Sequence, residues 1–509
     1  MTTAHPLHRV NAVAVHLALL KTGKAAMFSG SHEEISNWNK GESSIWDPQN
    51  PDASCDPHLE RNLFCSGHCQ LPDGRLFVAG GQSTFNDVPS IILSFLGLLP
   101  LALKITGKEA ADHDLHTFDP TTEKWTYQGK MHRARWYPTC VTLPDGKALI
   151  VSGTWAHAYH AVFGGFINLD YEIFDPLTNT ISAPKKFVNR MDMYPFLQVL
   201  PGGMLFVHSE DRTTFWDIAT QKMLPGVEFH NKSHGTRTYP GMGSCVLLPL
   251  EPNADKAKIL AVGGSTELKP SNRTPATNVA EIFTADLGDI ASSPGWEKVF
   301  PNPLQRFLCD SVLLPDGTVL VTNGAKMGVA DDNKEEVMEI ELFNPVSNSF
   351  SVVDRLEKPR LYHSSAVLLP DGRVVVAGST GHIWLHASFS PDRHFEHIVE
   401  VVTPPYLAGN PDRPSITSSP SIVSYNSSFE VTTEEPSDIR TVSLVRLSST
   451  THNNNMDQRC IMLDKQDIGS GRLRLTSPKD GTWAPPGHYI LFIVNNAGVP
   501  SIGKVVKVG

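Results

Sequence analysis

Residues 62–81, NLFCSGHCQLPDGRLFVAGG, and residues 134–153, ARWYPTCVTLPDGKALIVSG, begin differently and converge on Leu-Pro-Asp-Gly, an apolar run and a closing Gly. Asp-Gly supplies turn residues that tolerate positive φ, and the run is long enough for one buried strand. The unit recurs as LLKTGKAAMFSG, LPGGMLFVHS, LLPLEPNADKAKILAVGG, LLPDGTVLVTNG and LLPDGRVVVAG. The anchor leucines are Leu20, Leu71, Leu143, Leu200, Leu248, Leu314 and Leu369. Their spacing is close to the period of about 50 residues found in kelch-type propeller blades. Most copies carry a second signature downstream (IWDP, TFDP, IFDP, FWDI, EIFT, LFNP), which reads as a third strand ending in a turn.

Each unit predicts a four-stranded antiparallel sheet, and packing such sheets around an axis buries faces that one alone would expose. Seven anchors predict a seven-bladed kelch-type β-propeller over residues 1–397. From residue 398 to 509 the repeat stops. SFEVTTE, TVSLVRLS, GRLRLTS and HYILFIVNNAGVPSIGKVVKV alternate apolar and polar residues between turns, which predicts an immunoglobulin-like β-sandwich. The expected class is all-β, with the Pro-rich TPPYLAGNPDRPS at the junction. An insertion near residues 83–116 interrupts the second repeat. Its stretch 88–107, VPSIILSFLGLLPLALKITG, is nearly uncharged but broken by Pro89 and Pro100. A helical insertion packed on the protein is the leading reading, with membrane-surface contact or a lid as the others; a membrane span is not expected.

Of the 509 residues, 40% are apolar and 19% charged, a mix that supports a large folded core. The formal charge of −10 comes with no dense Lys/Arg cluster, so nucleic acid and anionic membranes are poor partners. Seven scattered cysteines show no zinc-type spacing and no disulfide framework. The N-terminal stretch lacks the ordered charged, apolar and cleavage regions of a secretory signal.

In a propeller the innermost strands begin near one mouth of the central channel, so equivalent positions lie side by side there. Six residues before the anchors stand Ala14, Cys65, Tyr137, Tyr194, Met242, Leu308 and His363. Cys65 and Tyr137 belong to adjacent blades. Tyr362 directly precedes His363 in RLYHSSAVLLPDG.

FCSG, ARWYP and YHSS at these positions, with THNNNMDQR in the C-terminal region, resemble the copper radical oxidases, galactose oxidase and glyoxal oxidase. The resemblance implies one copper ion and a thioether between Cys65 and Tyr137, forming a Tyr–Cys radical cofactor. It further implies Tyr137, Tyr362, His363 and His452 as metal ligands and Tyr362 as general base. Trp155, in SGTWAH, would shield the cofactor, and Arg237, in TRTYPG, would contact substrate. Because His452 lies in the C-terminal region, a loop from it would have to reach the channel. An alcohol oxidation removes two electrons while Cu(II) accepts one, so a second one-electron site is required, and imidazole and phenolate suit Cu(II).

The implied reaction oxidises a primary alcohol or hydrated aldehyde with O2, yielding aldehyde or carboxylic acid and H2O2, in a chain expected to be monomeric. A secreted or cell-surface protein is implied too, while the missing signal leaves the cytoplasm open. Taken singly, each residue reads more simply as structure: a buried Cys as a small hydrophobe, a Tyr at the mouth as a neighbour's hydrogen-bond partner. Cys69, Cys140, Cys245, Cys309 and Cys460 are assigned that structural role, and Tyr194 a channel-lining one. The rival reading is a non-enzymatic kelch propeller that binds a glycan or protein, since propellers host both roles.

Overall fold

The computed structural model describes residues 4–30, 40–83, 111–155, 166–300, 303–330, 332–380 and 395–509. The apolar stretch 88–107 lies outside the described residues, as does most of the insertion around it.

The Leu-Pro-Asp-Gly unit folds the same way in its copies. The Gly74 amide donates to the Leu71 carbonyl at 2.9 Å, and Gly146 to Leu143, Gly317 to Leu314 and Gly372 to Leu369 at 2.9–3.0 Å. The Asp side chain accepts the amide two residues on: Asp73 from Arg75, Asp145 from Lys147, Asp316 from Thr318 and Asp371 from Arg373. Each Gly sits at φ between +84° and +88°, where a Cβ would be strained. Strand, turn and strand are therefore dictated locally, and the apolar run after each turn is buried along its whole length, as in Leu76–Ala79 and Val374–Gly378.

Seven antiparallel sheets result. The first blade is His16–Leu19, Ala25–Gly30, Gly41–Trp46 and Ser54–Cys55. The second is Gly67–Gln70, Leu76–Ala79, Asp114–Asp119 and Lys124–Lys130. The third runs Trp136–Thr142, Ala148–Thr154, Asp170–Asp175 and Thr180–Ile181. The fourth is Phe196–Val199, Met204–Ser209, Arg212–Asp217 and Lys222–His230. The fifth is Ser244–Leu247, Lys256–Val262, Ala280–Asp286 and Gly295–Lys298. The sixth is Asp310–Leu313, Val319–Thr322, Glu339–Asn344 and Ser349–Arg355.

The seventh blade differs. Ser364–Leu368, Val374–Gly378 and Ile398–Val402 are followed outward by Leu7–Arg9 from the chain start. Its third strand thus lies beyond residue 397, where the repeat was expected to end. The sequence IVEVV carries none of the aromatic-Asp turn signature of the other third strands, which is why the repeat seemed to stop before it.

The C-terminal residues form two sheets over a separate apolar core that includes Val442, Leu444, Leu473, Tyr489, Leu491 and Val506. One sheet orders Ile422–Val423, Lys504–Val508, Gly487–Asn495, Ile439–Arg446 and Cys460–Met462; the other orders Ser428–Thr432, Arg472–Thr476 and Lys465–Asp467. Class and architecture are those expected, an all-β propeller followed by an immunoglobulin-like sandwich. Among the described residues no helix is long and apolar enough to cross a membrane.

Candidate metal centre

The position six residues before each anchor has a backbone property the sequence did not reveal. Cys65, Tyr137, Tyr194, Met242, Leu308 and His363 all have positive φ, from 24° to 64°. A side chain in the left-handed region costs roughly 1–2 kcal/mol per residue. The conformation turns the approach segment into its inner strand, and at three of the six positions the amide bonds the equivalent residue of the preceding blade. The Tyr137 amide donates to the Cys65 carbonyl at 2.8 Å, Tyr194 to Tyr137 at 3.1 Å and Leu308 to Met242 at 2.6 Å. Equivalent residues are thereby stitched side by side around the mouth.

The seventh position, Ala14, is met by a different element. A hairpin of Ser449–Thr451 and Asn454–Asn455 leaves the C-terminal sandwich and pairs antiparallel with His16–Leu19, the inner strand of the first blade. His452 stands at its tip with φ 50°. The anticipated loop into the channel is therefore a strand pairing with defined register, Thr451 opposite His16.

Five side chains converge there, and all are buried: Cys65, Tyr137, Tyr362, His363 and His452. The Cys65 sulfur lies 3.3 Å from His452 Nε2 and 3.7 Å from His363 Nε2. The Tyr137 and Tyr362 hydroxyls are 2.9 Å apart. The two imidazole ring centres are 4.6 Å apart with their planes at 85°, and Tyr362 lies 3.7 Å from His363, ring centre to ring centre. Cys65, His363 and His452 offer ligand atoms within 4.8 Å of one another. Cys65 is also in hydrogen-bonding reach of the Tyr137 phenol.

Electrostatics favour neutral groups at this site. Burial lowers the His452 pKa, with His363, His16 and His68 adding to it, so its imidazole is neutral as a ligand must be. Burial raises Cys65, and it raises Tyr137 together with nearby Cys65, Tyr362 and Tyr239. A dication would reverse the penalty on the Tyr137 phenol. Imidazole nitrogen, phenol oxygen and sulfur are donors for a transition metal and not for calcium or magnesium, which need sets of oxygen ligands.

Around this set runs an aromatic wall that sequence reasoning only partly found. The Tyr239 ring lies 4.8 Å from that of Tyr137, and Tyr194 packs 5.1 Å from Tyr137 and 4.8 Å from His452. Tyr194 donates its hydroxyl to the Ser66 carbonyl, a lining role as expected. A signal for Tyr239 was present: Tyr-Pro occurs at 137–138, 194–195 and 239–240. Trp155 packs edge-on to Phe166, 5.0 Å between centroids, on the apolar cluster that also contains Tyr137.

Arg237, expected to contact substrate, makes none of the contacts that join the five converging side chains. Its guanidinium is buried inside its own blade, bonded to Glu281 and to the Gly263 carbonyl. Three other blades repeat the device, pairing Arg135 with Glu172, Arg306 with Glu341 and Arg360 with Glu400. Each also bonds the carbonyl at the end of the second strand, at Ser152, Asn323 and Gly378. Arg237 is a blade clamp. Cys69, Cys140, Cys245, Cys309 and Cys460 are buried free thiols, in keeping with a packing role.

Comparison with known proteins fits this geometry. Residues 101–406 match the family described as glyoxal oxidase N-terminus, and residues 413–508 the galactose oxidase-like early set domain. The chain is 30% identical to an aldehyde oxidase GLOX of Vitis pseudoreticulata, over 88% of this chain and 82% of that protein. It is 27% identical to a galactose oxidase of Gibberella zeae, over 96% of this chain and 67% of that protein. Among solved structures, a fungal alcohol oxidase of the AA5 family in complex with copper shares the fold, with TM-score 0.76, 23% identity and 99% of each chain covered. Propeller, appended sandwich and sequence matches agree: the chain belongs to the copper radical oxidase family of glyoxal oxidase and galactose oxidase.

Proposed function

We propose that the protein oxidises a primary alcohol or hydrated aldehyde with O2, releasing an aldehyde or carboxylic acid and H2O2. Tyr137, Tyr362, His363 and His452 would hold one copper ion, with Cys65 joined to the Tyr137 ring as a thioether. The observation that carries this reading is the convergence of two imidazoles, two phenols and one sulfur from the second, third and seventh blades and the C-terminal hairpin. A propeller that only binds a partner has no use for that set.

Bound copper would supply a one-electron acceptor and a place for dioxygen to be reduced. The chain's residues do the rest. The Tyr362 oxygen, 2.9 Å from that of Tyr137, receives the hydroxyl proton of the substrate, and the Tyr137 oxygen takes the hydrogen from the adjacent carbon. Two hydrogens leave the alcohol and O2 becomes H2O2, so the reaction balances. Thioether formation balances the same way: a C–S bond replaces the thiol S–H and one ring C–H, and O2 takes up the two hydrogens. We assign Trp155, on the Tyr137 cluster, the shielding role.

A second reading has one observation in its favour. The Cys65 sulfur approaches both imidazole nitrogens, as in a Cys-His-His copper site with a thiolate ligand. Burial opposes it, because a buried thiol resists ionisation whereas a thioether carries no charge to desolvate. The experiment is copper loading in air followed by intact mass spectrometry and a peroxide-coupled screen of primary alcohols and small aldehydes. The proposal expects the mass to fall by two hydrogens and peroxide to appear, both lost in Cys65→Ser. An unchanged mass with a bound thiolate would favour the second reading, and no peroxide from any substrate would end the first.

A further inference from the structure

Each of the two imidazoles at the centre has its other ring nitrogen against a threonine hydroxyl. His452 Nδ1 lies 2.6 Å from Thr451 Oγ1, and His363 Nδ1 lies 2.7 Å from Thr380 Oγ1. These threonines come from unrelated places, one preceding its histidine on the C-terminal hairpin, the other seventeen residues beyond its histidine in the seventh blade. Both are fully buried. Nothing in the sequence set them apart.

The direction of these bonds turns on counting hydroxyl protons. A threonine has one proton to give and lone pairs to accept with. Thr451 Oγ1 donates to the Val15 carbonyl at 2.9 Å, and Thr380 Oγ1 donates to the Tyr362 carbonyl at 3.3 Å. With its proton committed to Val15, the Thr451 hydroxyl can only accept from His452; at Thr380, whose acceptor carbonyl also receives the Thr380 amide, the same direction is part of the proposal. In that direction Nδ1 carries the imidazole proton, and Nε2 carries the lone pair. In both rings Nε2 is the atom that faces Cys65. The opposite arrangement would withdraw the hydroxyl from Val15, a buried carbonyl for which it is the bonded donor, and would point two N–H groups into the centre.

We infer that Thr380 and Thr451 are positioning residues that lock His363 and His452 in the Nδ1–H tautomer, so that both Nε2 lone pairs are presented to the metal before it arrives. Thr380 ties two consecutive candidate ligands together, since it holds the Tyr362 carbonyl with its amide as well, at 2.7 Å, while orienting the His363 ring. Thr451 ties the hairpin tip to the first blade. The metal's identity rests on the proposed function; the tautomers do not.

The test starts from the metal-free full-length protein with 15N-labelled histidine, in which Nδ1–H and Nε2–H tautomers have distinct nitrogen shifts. Signals are assigned by His363→Asn and His452→Asn. Both rings should be Nδ1–H. Thr451→Val and Thr380→Val, which keep the shape and remove the hydroxyl, should release that tautomer. They should also weaken Cu(II) binding about 10- to 100-fold by competition with a chelator, and shift the Cu(II) electron paramagnetic resonance hyperfine coupling. Thr→Ser at each site should restore all three, which also shows that the valine variants did not fail by misfolding. Nε2–H signals in the wild-type protein would overturn the inference, as would valine variants with unchanged tautomers and copper affinity. If wild type binds no copper yet both rings are Nδ1–H, the functional proposal fails and the tautomer inference stands.

Discussion

The amide of Tyr137 donates to the carbonyl of Cys65 across the junction of the second and third blades, 2.8 Å between nitrogen and oxygen. Both residues are held left-handed, at φ 63° and 56°, so the thiol and the phenol are brought side by side by backbone geometry before any covalent chemistry. Cross-linking should therefore be separable from folding. Cys65→Gly keeps a residue at ease with that φ and should unfold within about 1 kcal/mol of wild type, the relieved strain offsetting the lost sulfur contacts. Cys65→Val places a β-branched side chain there and should lose about 2 kcal/mol or more. Neither should turn over substrate. Urea unfolding with a peroxide assay checks this, and equal stability of the two variants would show that the left-handed turn is not what places the sulfur.

Arg237 supplies a prediction that separates a clamp from a substrate contact. Its ion pair with Glu281 is buried on both sides, so Arg237→Met leaves a carboxylate without its partner and should cost about 3–5 kcal/mol. The double variant Arg237→Met, Glu281→Gln should recover much of that loss. In whatever fraction folds, KM should match wild type. A raised KM with unchanged stability would restore Arg237 to the substrate.

The seven repeats were legible because Asp-Gly turns and buried runs are local devices, written residue by residue. The ring of equivalent positions was legible by counting from those turns, and the structure brings Cys65, Tyr137 and His363 together with Tyr362. What escaped was everything set by tertiary pairing. The third strand Ile398–Val402 has no local signature and is defined by its partner Val374–Gly378. Nor does any one-dimensional pattern show Glu281 of the third strand closing on Arg237. Thr380 and Thr451 matter only through which ring nitrogen they meet, a fact of rotamers and hydroxyl protons that spacing does not carry.

Asp310 gives the stability a pH dependence. It is buried and accepts from Asn323, Asn453 and Thr450. Burial outweighs those donors and lifts its carboxyl from 3.8 to about 7. Below about pH 4 the group is protonated in folded and unfolded chains alike, and nothing is lost. Between about pH 4 and about pH 7 the unfolded chain ionises first, so stability falls as pH rises, at up to about 1.4 kcal/mol per unit. Asp310→Asn should be flatter over that window. Unfolding midpoints measured from pH 4.5 to 7.5 decide it (~3 units, set by the shift), and parallel curves for the two proteins would remove Asp310 from the account.

The hairpin that carries His452 is pinned on nearly every side. Thr451 bonds Val15 in the first-blade approach, Asp457 accepts the Gln70 amide of the second blade, and Asn454 donates to Pro195 beside the fourth. Gln458 bonds Ser311 and Leu313 of the sixth, and Leu250, between the first two strands of the fifth, exchanges amide bonds with Cys460 and Met462. The Asn-Asn-Asn-Met-Asp-Gln-Arg run is thus a plug that couples the sandwich to the propeller, and the two should unfold in one transition. Asp457→Ala strands both the Gln70 amide and Arg446, a buried partner at 3.3 Å, and should cost about 3–5 kcal/mol. Lys465→Ala, exposed on the far sheet of the sandwich, should change stability by less than about 0.5 kcal/mol. Because His452 sits five residues from Asp457 on the same plug, Asp457→Ala should also weaken copper binding, whereas Lys465→Ala should not. Two separate unfolding transitions in wild type, or Asp457→Ala with full copper affinity, would mean that the imidazole is held by its own strand pairing alone.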